Sequence, residues 1–127
     1  MLSLNQHEFE VVIRQPANIR YEYFIKKVVD YEEIWGLYNE GWASAQDDKG
    51  NVLIPLYPNE QFAEAFAKYE WEGCRPKKIE LEYFLEKWLP GMKSDGVKPS
   101  IFPTDTDSAV MDVDTLREDI EEELEKY

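Results

Sequence analysis

Residues 34–57 constrain the fold more than any other stretch of this chain. Three short aromatic and branched runs, Ile34–Tyr38, Trp42–Ala45 and Val52–Tyr57, are separated by Asn39-Glu40-Gly41 and by Asp47-Asp48-Lys49-Gly50. Asn39-Glu40-Gly41 has the composition of a three-residue hairpin loop, with its glycine free to take the left-handed position. Two turn signals between three such runs predict an antiparallel meander. Apolar residues stand at both odd and even positions of the first run, Trp35 and Leu37 as well as Ile34 and Tyr38. Both faces of that strand are therefore expected to be covered. Pro55 cannot donate to a ladder, so the third strand is expected at an edge or to end there.

Helical signals surround the meander. Asn5 and Glu8 have capping-box spacing ahead of Phe9, Val12 and Ile13, which predicts a short N-terminal helix within residues 1–14. Pro16 suits the first position of a second helix reaching Glu32, with Phe24, Val28 and Tyr31 on one face and Ile25 and Val29 beside it. Asn59 is a candidate cap for a helix over 60–69. Residues 71–75 read as a short strand stopped by Pro76. Leu81, Phe84, Leu85, Trp88 and Leu89 repeat at i, i+3, i+4, i+7 and i+8, an amphipathic helix that Pro90-Gly91 should end or kink. Val97–Pro103 is extended in character, and Ala109–Met111 is its expected partner across the Thr104–Ser108 turn. Asp112 then opens an acidic last helix over 112–127, docked by Val113, Leu116, Ile120 and Leu124. Acids crowd the C-terminal end of that helix, against its dipole, and predict fraying there. Hairpins mixed with helices make an α+β domain spanning 1–127, one mainly antiparallel sheet of five to six short strands with helices packed on it.

Charge and composition narrow the function classes. Residues 105–127 hold ten acids against Arg117 and Lys126, so a net −8 of the chain's −13 lies in this tail. Such a surface repels phosphate and argues against nucleic acid as a partner. Basic residues interleaved with tyrosines, among them Arg20, Lys27, Tyr21, Tyr23 and Tyr31, make an amphipathic helix boundary more simply than a nucleic-acid platform. No run reaches the ~18 apolar residues of a membrane span. Cys74 is the single cysteine, which excludes an internal disulfide and fits a reducing, cytoplasmic setting.

Candidate chemistry is sparse. His7 is the single histidine, placed in the first turn of the first helix, far from the company a catalytic base needs. One histidine and one cysteine cannot supply the usual zinc set. Cys74 sits near Arg75, Lys77 and Lys78, yet strand neighbours alternate faces, and a free cysteine is most often simply buried. Asp105-Thr106-Asp107 starts like a calcium loop, but Ala109, Val110 and Leu116 stand where ligands and the turn glycine belong. No glycine-rich phosphate loop follows a strand. The reading is therefore no catalytic residue, no metal and no cofactor.

With these elements in place, the chain resembles a bacterial domain-of-unknown-function family of small acidic cytoplasmic proteins. Ile19–Asp30, Trp35-Gly36-Leu37-Tyr38 with Gly41-Trp42-Ala43, Phe84–Gly91 and Ile101-Phe102-Pro103-Thr104 carry the likeness, which covers residues 5–120. The resemblance implies no assigned activity, site residue or cofactor.

Two functional expectations follow. The first is a non-enzymatic protein-binding or regulatory module, inhibitor- or immunity-like toward a basic protein partner, with Glu118, Glu122 and Glu125 as the recognition face. The alternative is a small-molecule-binding domain or weak hydrolase whose pocket is lined by Trp35, Tyr38, Trp42 or Tyr57. The sequence leaves the oligomeric state open.

Overall fold

The computed structural model describes residues 5–127; the first four residues of the expected N-terminal helix lie outside that range. Helix α1 (Gln6–Ile13) begins at Asn5, whose Oδ1 accepts from the backbone N–H of His7 at 2.7 Å and of Glu8 at 3.3 Å. The Glu8 carboxylate accepts from the Tyr23 hydroxyl at 2.6 Å, which ties α1 to α2 (Ala17–Tyr31). Pro16 is the N-cap of α2 rather than its first helical residue. Arg20, Phe24, Ile25, Val28 and Val29 form its buried stripe. Tyr31 falls outside that stripe and is exposed, because α2 ends there and Glu32 turns the chain away at φ 57°.

Six strands follow: β1 (Glu33–Tyr38), β2 (Ala45–Gln46), β3 (Val52–Leu56), β4 (Arg75–Glu80), β5 (Lys98–Ile101) and β6 (Ala109–Val110). The α+β class and the mainly antiparallel pairing agree with the sequence. The strands form two ladders, β1–β4 and β2-β3-β5-β6, with β3–β5 the parallel pair. They join at an antiparallel bridge, where Trp35 and Tyr57 exchange N–H···O bonds of 2.9 and 2.7 Å. Pro55 explains the break. Leu53 pairs with Ala45 and Tyr57 with Trp35, so by the two-residue repeat Pro55 faces the same side between them with no N–H to offer. An inner strand therefore tolerates a proline where the ladder is interrupted.

The meander itself is rearranged. The second run folds back on β1 only at its tip, through the Tyr38–Trp42 bridge and an Ala43 N–H to Leu37 carbonyl bond of 2.8 Å. Thereafter β1 pairs with β4, from Glu33↔Glu80 to Tyr38↔Arg75, and β2 pairs with β3. In the first turn Glu40, not Gly41, takes the left-handed conformation, at φ 58°. In the second, Gly50 takes it at φ 84°, while the Asp47 carboxylate accepts from the N–H groups of Lys49 and Asn51.

Helix α3 (Glu60–Ala65) is capped by Asn59, whose Oδ1 accepts from Phe62 N–H at 3.0 Å. It is shorter than expected, and a separate 3-10 turn covers Tyr69–Trp71. The strand expected at 71–75 starts only at Arg75 and contains Pro76, which an edge strand such as β4 can hold. The amphipathic stretch forms α4 (Leu81–Tyr83), a π turn over Phe84–Trp88, and α5 (Leu89–Asp95). Pro90 does not end it. The wide turn absorbs the missing N–H, and the Leu85 carbonyl accepts instead from Arg117 at 2.5 Å. Helix α6 (Val113–Leu124) buries Val113, Leu116 and Ile120. Asp112 caps it by backbone conformation alone, its carboxylate lying 3.5 Å from Lys98. The helix ends at Leu124, short of the expected 127; beyond it Lys126 pairs with Glu123 at 3.1 Å, and the Tyr127 hydroxyl donates to Asp30 on α2. The core gathers Phe24, Ile34, Leu37, Leu56, Tyr57, Phe62, Phe84 and Phe102 from every layer.

Candidate functional site

Among the concavities formed by the described residues, two lie outside the packed core. The larger is a groove of about 920 Å³ whose floor is β6 and whose walls are α2 and α6. Its α2 wall is the stripe Asn18, Tyr21, Glu22, Ile25 and Lys26, spaced i, i+3, i+4, i+7 and i+8. Phe24 and Val28 of the same helix face the core, so the helical period alone separates the two stripes. The opposite wall is Asp119 and Glu123 of α6 with Lys126 just beyond its end. The Tyr21 hydroxyl donates to Asp119 at 2.5 Å and staples the walls at the base. Burial first, and then the Asp119 carboxylate, push the Tyr21 phenol well above the usual tyrosine range, so it stays a donor at neutral pH. Strand β6 has a sheet partner on one side only, and Val110 is exposed at the groove floor.

Glu118 and Glu122 on α6 and Glu125 at its C-cap are all solvent-exposed. Each precedes a groove residue, Asp119, Glu123 or Lys126, by one position, about 100° around the helix. The acidic stripe thus runs along the rim of the groove.

The four expected pocket residues do not meet in one place. Trp35 is buried, its indole N–H donating to Glu33 at 3.3 Å. Tyr38 and Trp42 are half-buried at the tip of β1, in edge contact with ring centroids 5.2 Å apart. Trp88 packs edge-on against Trp42 at 4.8 Å, and the Lys77 ammonium sits 4.0 Å above the Tyr38 ring. Trp42 lies directly on Gly36: a Cβ there would come within 2.8 Å of the indole. This corner is therefore closed by the chain's own aromatic and cationic groups. Tyr57 is fully buried, and its hydroxyl donates to the Pro103 carbonyl at 2.9 Å. Of the four, Tyr57 alone touches the second concavity, a cavity of about 330 Å³ between the Phe66–Trp71 segment and the Pro103–Asp105 loop.

That loop is held by a residue whose role sequence reasoning missed. Arg20 is 2% exposed. Its Nε donates to the Phe102 carbonyl at 3.1 Å, Nη1 to the Gln15 carbonyl at 2.7 Å, and Nη2 to both the carbonyl and the carboxylate of Asp107 at 2.8 Å. The signal was present: Arg20, Phe24 and Val28 are spaced i, i+4 and i+8, which places the guanidinium on the apolar stripe. A charge there must be paired and hydrogen-bonded, and it is.

His7 is exposed on α1 and Cys74 half-buried just ahead of β4, on separate elements. Among the described residues no group of three or more His, Cys, Asp or Glu side chains is placed to hold a metal. No described helix is long and apolar enough to cross a membrane.

The chain belongs to the DUF2750 family, proteins of unknown function, whose profile matches residues 21–120. No curated protein matches it. Among solved structures it is similar to Anabaena Tic22 (protein transport), at 19% identity and a TM-score of 0.42. The match covers 66% of this chain and 47% of that one, so the chain spans about half the length of the protein it matches. A likeness at that level carries no functional argument.

Proposed function

We propose that this chain is a non-enzymatic protein-binding or regulatory module of the cytoplasm, inhibitor- or immunity-like toward a cationic protein. The partner lays an extended basic segment along β6, between α2 and α6. The observation that carries this reading is the groove of about 920 Å³ whose floor is a strand with one open edge. An open edge offers main-chain hydrogen bonds to an added strand. Ile25, Val110 and Met111 offer apolar contacts within the same groove. Glu22, Asp119 and Glu123 in the walls, with Glu118, Glu122 and Glu125 at the rim, outnumber Lys26 and Lys126. That imbalance favours a basic segment and speeds its arrival.

The test is photo-crosslinking in the native host. A photoreactive residue replaces Val110 on the groove floor or, as a remote control, exposed Tyr83 on α4. We expect a discrete adduct with a basic protein from position 110 alone, lost when Glu118, Glu122 and Glu125 are all changed to Lys. Identical adducts from both positions, or none from position 110, would overturn the reading. An adduct that survives charge reversal would overturn the cationic partner.

A further inference from the structure

The sheet has another open edge, at β4, and it carries an inference independent of the groove. We propose that this edge is a dimer interface, where a second copy of the chain adds its own β4 in antiparallel register about a two-fold axis at Ile79. Such an interface is isologous, the same strand on both copies. The order β4-β1-β3-β5-β6, with β1 and β3 joined by the Trp35–Tyr57 bridge, sets this edge across the sheet from the groove. The pairing therefore leaves β6 free.

Which main-chain groups face the edge follows from the ladder. The Leu81 N–H donates to the Glu32 carbonyl at 3.0 Å, one pair beyond Glu33↔Glu80. Hydrogen-bonded pairs alternate with open ones along an antiparallel ladder. Counting back from Leu81, Ile79 and Lys77 bond to β1, while Glu80, Lys78 and Pro76 turn their main-chain groups outward. Trp35, opposite Lys78, agrees with this phase, because its N–H and carbonyl bond to Tyr57 on the far side of β1. Pro76 has no N–H. Lys78 and Glu80 therefore offer an added strand both a donor and an acceptor, and both are exposed.

The order of charges selects the occupant. Arg75, Lys77 and Lys78 precede Ile79, and Glu80 and Glu82 follow it. A copy turned antiparallel about Ile79 sets Lys78 opposite the partner's Glu80, and Glu80 opposite the partner's Lys78. Opposite charges directly across a ladder stabilise it and like charges destabilise it. Slipping the register by two residues moves the axis to Lys78 or Glu80 and sets like charges face to face. Lys78 and Glu80 share one face of the ladder with Glu33, and Lys78 lies 3.2 Å from Glu80 and 3.9 Å from Glu33. Lysine and proline at an edge deter unrelated strands, whereas the inverted charge order admits the chain's own copy. The net charge of −13 opposes self-association, and it does so least at β4, where three bases stand against Glu80. A match this short makes a weak, reversible dimer.

The experiment is sedimentation velocity of the full chain from about 10 μM to about 1 mM, at about 0.15 M salt. We expect a concentration-dependent dimer. Lys78→Glu and Glu80→Lys should each stay monomeric, since each faces like charges. Mixed in equal amounts they should form a heterodimer, because acids at both positions of one chain then face bases at both positions of the other. Amide hydrogen exchange gives a second reading: the N–H groups of Lys78 and Glu80 should gain several-fold protection at the high concentration, while that of Ile79 is protected throughout. A monomer at every concentration, a dimer that either single reversal leaves intact, or a mixture that stays monomeric would each overturn the proposal.

Discussion

Phe102 and Tyr69 adopt the same unfavourable backbone conformation beside the same cavity, at φ 52° and 56°, and the fold treats them in opposite ways. Phe102 is fully buried. Its N–H donates to the Leu56 carbonyl at 2.8 Å, its carbonyl accepts from Arg20, and its ring lies against Phe62, Tyr57 and Tyr23. Tyr69 points its ring to solvent and is held by local turn bonds, Glu72 N–H to its own carbonyl and Trp71 N–H to the Lys68 carbonyl. A left-handed non-glycine residue costs roughly 1–2 kcal/mol in either place. At Phe102 long-range packing over-determines the conformation. At Tyr69 nothing of comparable size does. One side of the cavity is a rigid strap, the other a strained rim.

The largest test of this contrast removes the clamp. Arg20→Met deletes four hydrogen bonds and leaves the carbonyls of Gln15, Phe102 and Asp107 without their guanidinium partner. Breaking a buried ionic network of this kind costs about 3–5 kcal/mol, read as a fall in the urea midpoint. Asp107→Asn should cost far less, about 1 kcal/mol, because that carboxylate is half exposed and the Asp107 carbonyl still accepts from Arg20. Equal losses from the two variants would mean that the ion pair, not the carbonyl clamp, holds the strap.

Tyr57→Phe probes the same wall more gently. It removes the hydroxyl that donates to the Pro103 carbonyl and should cost about 1–2 kcal/mol in denaturant unfolding. Burial raises the Tyr57 phenol well above its ordinary range, beyond what the opposing Arg20 charge lowers it; Tyr21 and Tyr23 are raised too. These groups keep their protons in the fold after the unfolded chain has lost them. Their contribution is therefore complete below about pH 10 and lost as pH rises from there toward the folded-state values. Stability measured from pH 8 to 11 should be flat and then fall, and the fall should be shallower in Tyr57→Phe.

The contrast also separates what local sequence signals could reveal from what they could not. Asn5 and Asn59 cap their helices, Gly50 turns its loop, and the stripe from Leu81 to Leu89 is helical, because each signal is resolved within a few residues. The α+β class and the β5–β6 hairpin across residues 104–108 are legible for the same reason. The choice of β4 over the second meander run as the partner of β1 is a competition between segments about forty residues apart, which a local pattern cannot decide. Pro55 as an inner-strand residue makes sense only once the gap between β2 and the Trp35 bridge exists. The acidic stripe of α6 was legible, but its place beside a groove depends on how α6 packs on α2. Tyr57 was legible as an aromatic on a strand, and its separation from Tyr38 and Trp42 was not. The strained conformation of Tyr69 has no sequence signature at all, since tyrosine is a poor residue for it.

Tyr69→Gly and Phe102→Gly sharpen the comparison at its smallest and most informative point. Glycine takes the left-handed conformation without penalty but loosens the unfolded chain. At position 102 the lost ring dominates, and truncating a fully buried phenylalanine costs about 3–5 kcal/mol. At position 69 the exposed ring contributes little, so relief of strain should dominate and stability should rise by up to about 1 kcal/mol. The two variants share one backbone change and differ only in what the side chain touches. Opposite signs in the urea midpoint would establish that Phe102 is held by the core and Tyr69 is not. If Tyr69→Gly instead lost stability, the exposed ring and its contact with the Lys68 ammonium would be holding the rim closed in the free protein.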